Sequence, residues 1–148
     1  MHKTAIIRCE HFNVAHKLRN KNWDNEKNRT IFGECNSPNY HWHNYDLEVK
    51  TIGFCDPETG YVIDTKNLSS LIKDKILDRF DYKNLNLDIA QFVELNPTAE
   101  NIAMVIYKIL RAELEEHLKL KITLRNSKKL CRISAQLMHP ISKKKDVT

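Results

Sequence analysis

Glycine is scarce in this chain: three residues in 148, Gly33, Gly53 and Gly60, alongside only four prolines. No glycine-rich phosphate loop can be found, so nucleotide-dependent phosphoryl transfer has no support. No apolar run approaches the roughly 20 residues that a membrane-spanning helix needs, because charge breaks every one. The four cysteines, Cys9, Cys35, Cys55 and Cys131, contain no CxxC pair, and the N-terminus lacks the long apolar stretch of a secretory leader. A reducing cytoplasm is therefore the expected setting, with no disulfide needed.

What is present is enough for one domain over residues 1–148, a length that buries about two-thirds of the unfolded surface. The net charge of +5 is partly concentrated in Lys143-Lys144-Lys145, and the remainder is mixed with acids. Such a balance favours anionic partners in general, and neither nucleic acid nor a membrane is an expected partner.

Ala5 to Phe12 reads as a first strand with mixed faces. Lys17 to Asn39 has no period, is rich in Asn and charge, and reads as a long loop of the kind that often carries function. His41 to Phe54 alternates, with His43, Tyr45, Leu47, Val49 and Thr51 on one side and Asp46, Glu48 and Lys50 on the other, as an antiparallel strand with a wetter face does. Asp56 to Gly60 is a turn. Leu68, Leu71, Ile72 and Ile76 predict a helix over 65–79, with Asp64 as its polar cap. A second helix starts at Thr98, whose hydroxyl can cap it, and buries Ile102, Ile106, Ile109 and Leu110. Segments 120–124 and 130–137 close the chain as strands, and residues 142–148 read as a frayed tail. The order β-β-α-α-β-β predicts an α+β fold: a four-stranded antiparallel sheet with two helices on one face.

The chemistry centres on His41-Trp42-His43. Alternate strand residues share a side, so the two imidazoles point together while Trp42 faces away. His16, at the end of an apolar stretch, can return beside them. Three neutral imidazoles with an open fourth position make a zinc site that polarises a substrate oxygen or holds a water. An ordinary half-buried strand is the competing interpretation of so short a pattern.

Beyond the histidines, the chain carries Phe12-x-x-x-His16, Phe32-Gly33-x-Cys35-Asn36-x-Pro38-Asn39, His41-x-His43-Asn44-Tyr45, Gly60-x-Val62-x-Asp64, Asp81-x-x-Asn84-Leu85 and Pro97-Thr98-x-Glu100-Asn101. In this order, over residues 5–137, they resemble the 6-pyruvoyl-tetrahydropterin and 6-carboxytetrahydropterin synthase family. The resemblance implies the tunnelling fold (T-fold), assembled as a homohexamer of two trimers with active sites between subunits. It implies Zn2+ on His16, His41 and His43, and a small pterin-like substrate whose side-chain oxygens meet the metal. It further implies Cys35 as the proton-abstracting thiol, Asp81 and position 82 in a proton relay, and Thr98 and Glu100 near the pterin.

Two departures stand out. Tyr82 occupies the place where the family usually has histidine, and phenols titrate near pH ~10 whereas imidazoles titrate near ~6.5, so tyrosine is a poor neutral-pH base. Leu124 stands about where the family has a glutamate that accepts two hydrogen bonds from the pterin; leucine accepts none, and Asn126 is the nearby residue able to present a carbonyl. Tyr40 and Trp42 stand where glycines are common. The expected activity is a zinc-dependent carbon–oxygen lyase acting on 7,8-dihydroneopterin triphosphate or a close analogue, with catalytic Cys35, Asp81 and Tyr82 and ligand contacts at Thr98, Glu100, Leu124 and Asn126. The alternative is a metal-binding paralogue with an altered ligand or a protein-interaction role and little pterin turnover.

Overall fold

The computed structural model describes residues 2–127 and 132–136. Leu130, Cys131, Leu137 and the predicted tail at 142–148 lie outside the described residues.

Strands β1 (Lys3–His16) and β2 (His41–Phe54) form a long antiparallel pair whose register runs from Lys3 opposite Phe54 to His16 opposite His41. β1 is therefore four residues longer at its carboxyl end than the stretch to Phe12 predicted by alternation. The face left open by its mixed pattern is settled by β2: Phe12 and Val14 share the side of Tyr45 and His43 and are fully buried, whereas Ile7 is half exposed on the other side.

The segment 17–39 is not wholly a loop. It contains α1 (Asn25–Phe32), capped by Asp24 accepting from the Lys27 amide at 2.7 Å, and a 3-10 turn over Gly33–Asn36. α1 shows no apolar period because its one buried side chain is Asn28.

The expected first long helix runs as α2 (Thr65–Ile72), a π turn over Lys73–Leu77, and α3 (Asp78–Phe80). Asp64 caps it, accepting from the amides of Lys66 and Asn67. Next come β3 (Lys83–Asn84), α4 (Leu85–Asp88) and a 3-10 turn at Ala90–Phe92. α5 (Ala99–Glu113) starts at Thr98, whose Oγ1 accepts from the Asn101 amide, so the predicted cap and helix coincide. β4 (Lys119–Asn126) and β5 (Arg132–Gln136) finish the described chain.

Among the described residues the sheet has five strands in the order β3-β1-β2-β4-β5. The expected four antiparallel strands are all there, and the addition is β3, two residues running parallel to β1. Two residues are too few for a period, which is why β3 left no trace in the pattern. The helices cover one face, where Phe12, Leu47, Ile122 and Leu124 of the sheet meet Leu68, Ile72, Ile76, Phe80, Ile102, Ile106 and Leu110. That apolar contact supplies the main driving force for the fold. Among the described residues no helix is long and apolar enough to cross a membrane.

Candidate functional site

The paired ends of β1 and β2 build the site. Directly opposed residues of antiparallel strands project to the same face. His16 opposite His41, and Val14 opposite His43, therefore set all three imidazoles on the helix-covered side. The His16 and His43 rings meet edge to face at 4.4 Å between centroids, and His41 stacks on His43 at 4.5 Å. Cys35 joins them: a ring nitrogen of His16, a ring nitrogen of His43 and Cys35 Sγ all lie within 4.8 Å of one another. The structure thus brings together the four residues singled out for metal and thiol chemistry, with Cys35 rather than His41 in the tightest group.

Polar side chains outside the cluster fix it. Asn86 clamps the residue after His16, accepting from the Lys17 amide at 2.8 Å and donating to the Lys17 carbonyl at 2.9 Å. The Leu18 amide donates to the Cys35 carbonyl at 2.8 Å, and Asn36 Nδ2 donates back to the Leu18 carbonyl at 2.8 Å, which draws the 3-10 turn and its thiol onto the end of β1. Behind that turn, buried Asn28 donates to the carbonyls of Asn20, Trp23 and Asp24 and accepts from the Asn20 amide. A fully satisfied buried amide of this kind rigidifies an otherwise polar segment.

His16 is only 3 % exposed, and its Nδ1 lies 2.8 Å from the Pro97 carbonyl. A carbonyl can only accept, so Nδ1 carries the proton and Nε2 the lone pair. Nε2 is buried, with no hydrogen-bond partner among the described residues. Burial pulls the His16 imidazole below its ordinary value, outweighing the bond to Pro97, and nearby His41 adds to the lowering. A neutral, desolvated, pre-oriented imidazole beside those of His43 and His41 is a donor set that fits zinc, with Cys35 Sγ alongside and the Pro97 carbonyl as the outer partner that such a ligand requires.

The other predicted residues are dispersed. Asp81 Oδ1 accepts from the Asn13 amide at 2.8 Å, and the Tyr82 amide donates to the Asn13 carbonyl at 2.7 Å, so this pair sits on the edge of β1 remote from β2. The Tyr82 ring is 73 % exposed and lines a cleft with Arg8, Lys73 and Asp81. Thr98 serves as a helix cap, and Glu100 in the first turn of α5 is close enough for its charge to act on Tyr45. Leu124 is fully buried in the core opposite Leu47, so in the single chain it packs and meets no cleft. The Asn126 amide lies 2.9 Å from His43 Nδ1.

Several site residues escaped the sequence reading. Tyr45 stacks beside His43 at 5.8 Å; burial, and then the charges of Cys35 and Glu100, push its hydroxyl far above the ordinary value, so it stays protonated. Its place on the histidine face was a signal available from alternation. The Pro97 carbonyl and the Asn86 clamp had none. Tyr40 precedes His41 with φ 65, a left-handed conformation that costs a bulky residue energy. Together with Phe32 and Pro97 it lines a cleft of about 610 Å³ that also carries Lys17, Arg19 and Lys21.

A family model described as 6-pyruvoyl tetrahydropterin synthase matches residues 5–134. The human 6-pyruvoyl tetrahydrobiopterin synthase is 35 % identical over 112 residues, 76 % of this chain and 77 % of the relative. A dihydroneopterin monophosphate aldolase from Pyrococcus furiosus is 30 % identical over 119 residues, 80 % of this chain and 85 % of that one. Among solved structures, Caenorhabditis elegans 6-pyruvoyl tetrahydropterin synthase superposes with a TM-score of 0.85 at 29 % identity, covering 93 % of this chain and 98 % of its own. With the α+β T-fold architecture and the histidine pattern already in hand, these matches show that the chain belongs to the 6-pyruvoyl tetrahydropterin synthase family.

Proposed function

We propose that this chain is a zinc-dependent lyase acting on 7,8-dihydroneopterin triphosphate or a close analogue. The observation that carries the proposal is the cluster of buried His16 with His43 and half-buried Cys35, in which His16 Nε2 has no hydrogen-bond partner among the described residues. Relatives named as a 6-pyruvoyl tetrahydrobiopterin synthase and as a dihydroneopterin monophosphate aldolase support the substrate class, since both names give a pterin and the second a phosphorylated dihydroneopterin.

His16, His41 and His43 would hold the metal, and His41 completes the set by turning from its stacked position on His43. Zinc bound there would polarise the side-chain oxygens of the ligand and acidify the adjoining carbon. Cys35 Sγ, which lies within 4.8 Å of ring nitrogens of His16 and His43, would take the proton from that carbon. The electron pair left on the carbon expels the triphosphate. Tyr45, protonated and buried, is a hydrogen-bond donor beside the thiol. The polar clamps on Lys17 and Leu18 hold thiol and imidazoles in register without entering the chemistry.

The assembly proposed is a homohexamer made of two trimers. On the sheet face away from the helices, Ile7 and Trp42 are both more than half exposed in the single chain, and a second copy would cover them.

The test is to incubate the zinc-loaded protein with 7,8-dihydroneopterin triphosphate and resolve products by mass. Released triphosphate that disappears in Cys35→Ala with metal retained supports the proposal; no release, or release indifferent to Cys35, overturns it. The second reading, a metal-bearing paralogue with little turnover, draws on the burial of Leu124 and the exposure of Tyr82. It expects metal and assembly without triphosphate release.

A further inference from the structure

Two of the site imidazoles are met from behind at Nδ1. For His16 the partner is the Pro97 carbonyl at 2.8 Å; for His43 it is the side-chain amide of Asn126, placed with Nδ2 2.9 Å from the ring nitrogen. The two partners differ in kind. A peptide carbonyl leaves no choice of tautomer, whereas an asparagine amide can face the ring with either its oxygen or its nitrogen, the two being equal in shape.

Asn126 is held where this choice matters. It ends β4 opposite Tyr45, on the same face as His43. The next residue ties the strand end to β2: both the amide and the Oγ of Ser127 donate to the Asn44 carbonyl, at 3.0 and 3.1 Å. The amide group therefore approaches His43 from a strand anchored on either side of the imidazole's own neighbour.

We propose that Asn126 is a positioning residue for His43. With the amide turned so that Oδ1 takes the place of Nδ2 against the ring, it accepts from Nδ1–H, which selects the tautomer whose Nε2 lone pair faces His16 and Cys35 Sγ. This matches at His43, through a side chain, what the Pro97 carbonyl does at His16 through the backbone. It also redirects Asn126 from the ligand-binding role suggested by its place near Leu124: the amide is engaged with the metal-holding ring. The inference rests on reading the cluster as a metal centre and is independent of which pterin is turned over.

The experiment measures Zn2+ affinity of the full chain by competition with a chromophoric chelator, for wild type, Asn126→Ala, Asn126→Asp and Ser127→Ala. Loss of an outer partner of a ligating histidine weakens metal binding about 10- to 100-fold, so Asn126→Ala should fall in that range. A carboxylate also accepts from Nδ1–H and strengthens the ring as a donor, so Asn126→Asp should bind at least as tightly as wild type. Ser127→Ala loosens the strand end and should stay within about twofold of wild type, a spread far below the outer-partner effect. The proposal is overturned if Asn126→Ala binds like wild type, if the Asp variant is as weak as the Ala variant, or if Ser127→Ala matches Asn126→Ala. Wild-type protein that takes up no zinc overturns the metal-centre reading itself, a distinct result from any of these.

Discussion

The carboxyl end of β1 has two neighbours, and they carry opposite kinds of change. On one side β2 lays His41 and His43 against His16, and the 3-10 turn adds Cys35, a cluster that could hold a metal ion. On the other side, α3 leads into Asp81 and Tyr82 and then the two-residue β3, and here a tyrosine with an open ring stands where the family usually has histidine. The difference has a physical basis. The histidines extend the same alternation that buries Tyr45, Leu47 and Val49, so their placement is enforced by the core. Tyr82 donates its amide to the Asn13 carbonyl, and its side chain is mostly exposed, so it can be exchanged with little effect on packing. The proposed metal and relay roles thus fall on residues held in different ways.

The largest break in that comparison is expected at Leu124. Leu124→Glu, the replacement that would recover the family's carboxylate, puts an ionisable group at a fully buried position of the shared core. The expected cost is about 3–5 kcal/mol, read as a lowered midpoint in denaturant unfolding, unless the glutamate protonates or a subunit contact opens the site. Retained stability would mean that the inner end of β4 is more accessible in the assembly than in the single chain.

Tyr82→His should act in the reverse way, on turnover and not on structure. Its side chain is solvent-exposed, so melting temperature and zinc affinity are expected to hold, while a neutral-pH base at the relay position should raise turnover by ~10-fold or more. Unchanged turnover in a metal-loaded Tyr82→His protein would show that position 82 does not limit the reaction.

The smallest effect lies on the metal side and concerns pH. In the metal-free protein the His16 imidazole is held below its ordinary value, so between that lowered value and about 6.5 the unfolded state binds more protons than the folded one. Stability from this group is fully present above about pH 6.5 and is lost as pH falls through the folded value, with a slope no steeper than ~1.4 kcal/mol per pH unit. Denaturant unfolding of metal-free wild type from pH 8 downward reads it; in His16→Asn this contribution to the slope should vanish, and its persistence would assign the proton uptake to another group.

How much of this was legible in sequence follows from the kind of interaction involved. β2, α5 with its Thr98 cap, and the shared face of His16, His41 and His43 are products of period and capping, and those are written in neighbouring residues. α1 was hidden because its core contact is an asparagine, Asn28, satisfied by carbonyls that no side-chain pattern announces. Cys35 could be picked by resemblance, but what carries it to the histidines is the Leu18 amide donating to its carbonyl, with the Asn36 side chain donating back to the Leu18 carbonyl. Leu124, read as a ligand position, is a core residue because its partner across the sheet is Leu47. Side chains that act through local pattern are readable; main-chain carbonyls such as Pro97 O are not.

The most direct measurement is the zinc X-ray absorption spectrum of the loaded wild-type protein. The account predicts a first shell of nitrogen or oxygen neighbours at about 2.0–2.1 Å, from His16, His41, His43 and solvent, with no sulfur. A sulfur neighbour at about 2.3 Å would contradict it, because Cys35 would then be bound to the metal and unable to take the substrate's proton.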